Sequence, residues 1–511
     1  MTPFIAGAVH GRLGWHPLAL GLAAALMLAE PCDGGTQSSA SPTLSGHARA
    51  TFSAQLGLHF SGVLRERHRL VPDRPAGTIV VDNCADNGAG SLRAALATAV
   101  NGDVIDLTQL GCSTITLSSG GIIVAVDDVE LIGPGAAALT IDAAYHGRAF
   151  YHLGNATFAL TGLRVTRGTY SGGPYYLAFG GCVFSKGNIE ANDSVIDHCG
   201  VSDAVSDGDG TAGGCLLAFG GVALTDSTLS ACTVTASSGD TAVGGAIFAE
   251  QDIILVRSRI SGSTVTSAQG QAAGGGGIAI EDLVMKYSTI SDNSAISGYI
   301  SKAGGIYVEG DTYLTGSTVS GNHAAIGGGI WMSGDTPVSP AKIQNSTISG
   351  NVGDVAVGGI VANMPLILAN STVAFNTSVA LDVSGLYLGD DAELESSIIA
   401  NNSAGATQRD VGGSNSASIT GANNLVGVTF LTLPPDTISA DPILGPLANN
   451  GGLTKTHALL TGSPAIDSGN NSLDLTREQR GTGFARVVDG SADIGAFESD
   501  PGRIFTNGFE G

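Results

Sequence analysis

One short segment, Ser346-Thr347-Ile348-Ser349-Gly350-Asn351, recurs with variation between residues 180 and 402. Aligning the copies gives vertical columns, and columns of this kind leave few folds open. A serine column runs through Ser194, Ser227, Ser258, Ser288, Ser317, Ser346, Ser371 and Ser396. Two residues on, an aliphatic column holds Ile196, Leu229, Ile260, Ile290, Val319, Ile348, Val373 and Ile398. Three further on, a third column holds Cys199, Cys232, Ser263, Asn293, Asn322, Asn351, Asn376 and Asn401. The step shrinks from 33 residues (Ser194 to Ser227) to 25 (Ser371 to Ser396), so loops vary while the columns hold. A second set starts at Gly181, Gly214, Gly245, Gly277, Gly305, Gly329, Gly359 and Gly385, each followed by a small or aliphatic residue.

Alternation with a period of two marks strands rather than helices. A repeat this short cannot bury its own apolar face, so neighbours must stack to make a continuous core. Identical residues in vertical columns are what parallel strands stacked roughly 4.8 Å apart produce. An asparagine column inside such a stack bonds amide to amide from turn to turn. Leucine-rich repeats also carry an asparagine column, but their L-x-x-L-x-L spacing is absent. The sequence therefore predicts an all-β fold, a right-handed single-stranded parallel β-helix, its hand taken from the crossover rule for parallel strands. Composition agrees. Of 511 residues 76 are glycine, only 13% are charged and 43% are hydrophobic, which excludes a disordered chain. Glycine does not recur every third residue, which excludes collagen. The net charge of −23 argues against nucleic acid, and against acidic polymers, as partners.

The ends need covering, because a solenoid exposes unpaired strand edges there. Ser91 to Val100 is the most helical stretch beyond the N-terminus, with Ser91 as its cap, and is expected to cover the first turn. Cys84 and Cys112 flank it and are candidates for a disulfide. Cys182 and Cys215, like Cys199 and Cys232, are 33 residues apart at equivalent places on adjacent turns, either as stacked thiols or as disulfides. Residues 1–29 carry Arg12 and an apolar run from Pro17 to Ala29, the pattern of an export signal with a short membrane anchor as the alternative. Residues 30–76 are expected to be a linker, and the rest to lack a transmembrane segment.

On these residues the chain resembles the pectin-lyase-like superfamily of right-handed parallel β-helices over residues 77–430. The segment from Asp82-Asn83-Cys84 through Gly90-Ser91-Leu92-Arg93 to Asp103-Val104-Ile105-Asp106-Leu107 is similar to the N-terminal cap of secreted bacterial β-helix proteins. Residues 431–498 resemble the choice-of-anchor Q domain, through the stretch 444–470, Gln479-Arg480-Gly481 and Asp493-Ile494-Gly495-Ala496-Phe497-Glu498. That domain usually has Asp before Gln-Arg-Gly, where this chain has Glu478. The tail, residues 499–511, is similar to short C-terminal tags on exported Gram-negative proteins. The resemblance implies secretion or display at the outer cell surface. It implies no activity, because one fold hosts many functions.

Three surfaces are candidates for function. The first is polar: Asp193 and Asp197 on one turn, Asp226 on the next, Arg257 and Arg259 on the third, with Tyr287 after them. They form either an acid–base or cation site, as in a polysaccharide lyase or glycoside hydrolase, or a ladder of surface ion pairs. The ladder is the favoured reading, because Gly-His-Gly and Arg-x-Lys of the related hydrolases are absent. The pectate-lyase-like fragment Val195-Ile196-Asp197-His198 also lacks its Arg-x-Pro-x-x-Arg partner. The second surface is apolar: Val183, Leu216, Ile247, Ala279, Tyr307, Trp331, Val361 and Tyr387. With Tyr307, Trp331 and Tyr387 as ligand-binding residues it would take a glycan or a surface protein, unless another segment covers it. The third is hydroxyl-rich, with Thr228, Thr289, Thr318, Thr347 and Thr372 beside Ser230, Ser261, Ser291, Ser320 and Ser349. Such arrays can bind ice, but threonine also simply favours strands. No motif calls for a metal or a cofactor, and Asp207-Gly208-Asp209-Gly210 is expected to be a turn. The most economical function is non-catalytic adhesion or glycan recognition.

Overall fold

A computed structural model describes residues 76–500, except 173–177, 204–209, 237–240, 334–338, 381–382 and 405–408. The expected export signal, most of the linker, the Asp207 turn and nearly all of the tail lie outside the described residues. The chain forms an all-β parallel solenoid of about 11 turns. One turn shows the plan. Ile306–Val308 belongs to sheet I, Thr312–Thr315 to sheet II, Thr318–Ser320 to sheet III and His323–Ile326 to sheet IV. Among the described residues these four sheets hold 11, 13, 12 and 14 strands respectively.

The corners explain why the columns exist. From Asp193 to Ser396 the chain bends in the left-handed region between sheets II and III, at Asp193, Asp226, Arg257, Tyr287, Gly316, Asn345, Asn370 and Ser396. Asn and Asp tolerate that conformation, whereas Arg257 and Tyr287 adopt it at a cost of roughly 1–2 kcal/mol. The serine column follows directly. The Ser288 amide donates to Ser317 Oγ, the Ser317 amide to Ser346 Oγ and the Ser346 amide to Ser371 Oγ. At the next corner Asn293, Asn322, Asn351 and Asn376 form the amide ladder, each Nδ2 donating to the next Oδ1 at 2.9–3.0 Å. Buried backbone groups that a bend would orphan are thereby bonded.

The ladder ends on Asn402, not Asn401. Asn376 donates to Asn402, and Asp410 Oδ1 accepts from Asn402 in turn. Ser371 likewise bonds Ser397, and Val373 pairs with Ile399. The sequence here is Ser-Ser-Ile-Ile-Ala-Asn-Asn, so two alignments one residue apart fit equally well. Packing selects the second. Asn401 stands instead at the left-handed corner, with its amide on Asp441.

Sheet IV has two arms. Through the first turns the chain leaves sheet III along an outgoing strand, such as Gly200–Asp203, and returns along another, such as Thr211–Ala212. The two ladders meet at His323–Ile326, which pairs with both Ser294 and Lys302. Val201, Val234, Val265 and Ala295 pack between the arms against Ala178, Ala242 and Ala272. Disulfides Cys182–Cys199 and Cys215–Cys232 pin this fold-out at its neck, within a turn rather than between turns. Closing a loop of this size is worth roughly 3 kcal/mol. Cys84–Cys112 is the third disulfide. Near it the helix Leu92–Thr98, capped by Ser91, buries Leu92, Ala95 and Leu96 in the solenoid core. Among the described residues no helix is long and apolar enough to cross a membrane.

Candidate functional site

Beyond the last turn the chain folds back as a strap along the outer face of sheet III. Its hairpin pairs Leu444–Ala448 with Thr456–Leu459. Gln479 is the main tie. Its Oε1 accepts from Thr347 Oγ1 at 2.6 Å, and its Nε2 donates to Thr318 Oγ1 and Thr454 Oγ1, both at 3.0 Å. Asn345 and Asn370, at the left-handed corner, donate to the carbonyls of Arg477 and Asn470. Gly316 occupies that corner where Tyr287 would meet any Cβ. Two buried ion pairs brace the strap internally, Arg480–Glu478 and Arg486–Glu498. Ile494 and Phe497 anchor it on Ile398, Ala400 and Leu425. The hydroxyl-rich surface is therefore covered over Thr318, Thr347 and Thr372.

The cover is not flush. A cleft of about 590 Å³ lies between the strap hairpin and sheet III. Its sheet side presents Arg259, Thr289, Ser291, Ser320 and Ser349, with Phe375 at the corner; its strap side presents Leu447, Asn449, Leu453, Lys455 and His457. The hydroxyl column supplies polar groups on one side because alternation points every second residue of sheet III outward. Arg259 Nη2 bonds Ser291 Oγ at 2.9 Å, and its nearest carboxylate, Asp292, is 3.6 Å away. Phe375 packs against the His457 ring with centroids 4.9 Å apart.

At the floor, Ser349 Oγ lies 2.8 Å from His457 Nε2, and His457 Nδ1 lies 2.7 Å from the Gly445 carbonyl. A carbonyl oxygen only accepts, so Nδ1 carries the proton and Nε2 offers its lone pair to the serine hydroxyl. Burial pushes the imidazole below its usual pKa, with the Gly445 bond opposing, so the ring is neutral near pH 7.

The cleft continues into a smaller hollow lined by Asp226, Arg257, Arg259, Tyr287 and Leu453. The structure thus brings together Asp226, Arg257 and Arg259 of the polar set. Asp226 accepts from Arg257 at 2.7 Å, and that guanidinium holds its carboxyl below the usual range. Asp197 lies two turns from Arg259, buried beneath Arg164 at 2.7 Å. Asp193 is exposed at the corner of that same turn. These pairs, with Arg167–Asp142, form a ladder up the uncovered part of the face. Among the described residues no cluster of His, Cys, Asp and Glu is placed to hold a metal ion.

The apolar surface is the main correction. Sheet register aligns Tyr307 with Ile278, Phe248, Leu217, Phe184 and Tyr151. Val183, Leu216, Ile247 and Ala279 face the interior core instead. In the early turns Cys182 and Cys215 take the slot that Gly305 takes later, and a one-residue slip exchanges the two faces. The true column is more aromatic, and it is covered. The returning arm of sheet IV lays Ala212, Val243, Ala273 and Ala303 over it. Tyr307 and Trp331 are each only 5% exposed, and Tyr387 is half-buried. The Tyr307 and Trp331 rings thus lie under cover rather than in solvent.

Sequence reasoning missed Ser349 as more than a column member, and it missed Phe375 and His457 entirely. His457 meets Ser349 across 108 residues, and no local pattern signals that contact. No family model matches the chain, and no curated protein matches it.

Proposed function

We propose that the chain is an exported, right-handed β-helix protein of the pectin-lyase-like kind, with a choice-of-anchor Q-like strap, that recognises a glycan in the cleft between strap and sheet III. The observation that carries the reading is the cleft's lining. Hydroxyls, an arginine, a lysine and an asparagine surround one aromatic face, Phe375, which is 40% exposed. Sugar rings offer apolar faces to aromatics and hydroxyls to polar side chains. Recognition is favoured over glycosidic cleavage because the cleft lining carries one carboxylate, Asp292, where cleavage needs a pair. An N-terminal sequence that reads as an export signal, the disulfides and the resemblance of the ends support placement outside the cell.

A glycan array followed by calorimetry on the full chain tests this. Wild type is expected to retain a saccharide, and Arg259→Ala with Phe375→Ala to weaken it at least about tenfold. Retention of full affinity by the double variant places binding elsewhere, and the absence of any glycan ligand overturns the reading.

A further inference from the structure

The strap's other ties to sheet III join hydroxyls to amides or backbone groups, as at Thr347–Gln479 and Thr318–Lys455. Ser349 alone in its column meets a base. From the 2.8 Å contact to His457 Nε2, and the Gly445 carbonyl that orients the ring, we propose that Ser349 and His457 form a nucleophile–base pair that hydrolyses small O-acyl esters of an alcohol bound in the cleft.

The arrangement meets the geometric demands of acyl transfer. The nucleophile lies within hydrogen-bond reach of the base, and a third group fixes the base's tautomer. Phe375 packs on the imidazole and limits its rotation. Ser349 is only 2% and His457 only 3% exposed, so the acyl group must enter from the cleft, which favours a short one such as acetyl. The strap side of the same lining carries the polar side chains of Asn449 and Lys455.

The steps balance without any redox partner. Ser349 Oγ bonds to the acyl carbon while its proton passes to His457 Nε2. The ester C–O bond breaks, and the leaving alcohol oxygen takes that proton. Water then attacks the acyl-serine and gives a proton to Nε2. The carboxylic acid leaves, and Ser349 recovers its hydrogen from His457. The glycan reading bears only on the identity of the alcohol, so the two ideas can fail separately.

The test uses the full chain with a fluorophosphonate probe, an aryl acetate, and an O-acetylated oligosaccharide. Peptide mapping is expected to find the phosphonyl group on Ser349 of wild type. Ser349→Ala should remove labelling and reduce aryl-acetate hydrolysis to background, and His457→Gln should lower it at least about 100-fold, with melting curves confirming that both variants fold. Unlabelled, inactive wild type overturns the pair, whatever the variants do. Aryl-acetate turnover without acetate release from the oligosaccharide upholds the pair and counts against the glycan reading. Oligosaccharide binding without labelling or turnover overturns the pair and leaves that reading standing.

Discussion

Sheets I and III both turn a side-chain column outward, and both columns are covered, yet only one cover leaves a cleft. Over sheet I the cover is the returning arm of the same turn, a few residues upstream, and contact is apolar on both sides. Such surfaces close up, because each gap forfeits dispersion contacts. Over sheet III the cover comes from more than 100 residues away and is tied at discrete hydrogen bonds such as Thr347–Gln479 and Ser349–His457. Polar ties fix points rather than areas, and the space between them stays open. An apolar column thus became a second core, and a polar one became the wall of a cleft.

The largest effect should come from breaking the apolar cover. Trp331 stacks on Tyr307 at 6.4 Å and lies beneath Lys302, whose ammonium is 4.9 Å from the ring centroid. Trp331→Ala is expected to cost about 3–5 kcal/mol, as for other buried aromatics. Denaturant melts check this, and a loss below about 1 kcal/mol would mean that the arm is only loosely seated.

The register of the last turn sharpens the same contrast, because it decides which isoleucine faces the strap. With Asn402 in the ladder, Ile399 enters the solenoid core and Ile398 meets Ile494 and Phe497. Asn402→Ala should leave buried groups unbonded and cost about 2–3 kcal/mol. Asn401→Gly, which keeps the left-handed corner without steric cost, should stay within about 0.5 kcal/mol. The reverse order would restore the alignment that the column pattern first suggests.

Loosening the polar cover should be milder and local. Gln479→Ala removes one amide serving Thr318, Thr347 and Thr454. A cost of about 1–3 kcal/mol is expected. It should appear as faster proteolysis of the strap while the solenoid's circular dichroism is unchanged. Cooperative loss of both signals would show that strap and solenoid unfold as one.

These contrasts mark what the sequence could convey. Stacking in parallel turns was legible because period and column identity are local properties that repeat. Register was legible only where a single residue matched each slot. It failed at the Ser396-Ser397 doublet and at Cys182, where two alignments score alike and side-chain packing decides. The cleft was not legible, because it depends on where the strap lands. Gln479 and His457 meet sheet III across 132 and 108 residues.

The smallest effects concern charge, and they separate two carboxylates by sign. Asp226, at the corner between sheets II and III, is held low by Arg257. Its contribution is present above its unfolded pKa and fades as pH falls through the lower folded value. Asp226→Asn should therefore cost no more than about 1 kcal/mol at neutral pH, and less in high salt. Asp282, at the corner between sheets I and II, is pushed up to about 6 by burial and by Asp252, Asp311 and Glu281 nearby. Its protonated form is the stable one, so the fold loses stability as pH rises from the unfolded value of 3.8 through about 6. Asp282→Asn keeps the Oδ1 acceptor that the Asp311 amide needs and removes the charge. The variant should melt above wild type at about pH 8, and the gap should close at about pH 4. A gap that persists in acid would assign the effect to packing rather than to the charge of Asp282.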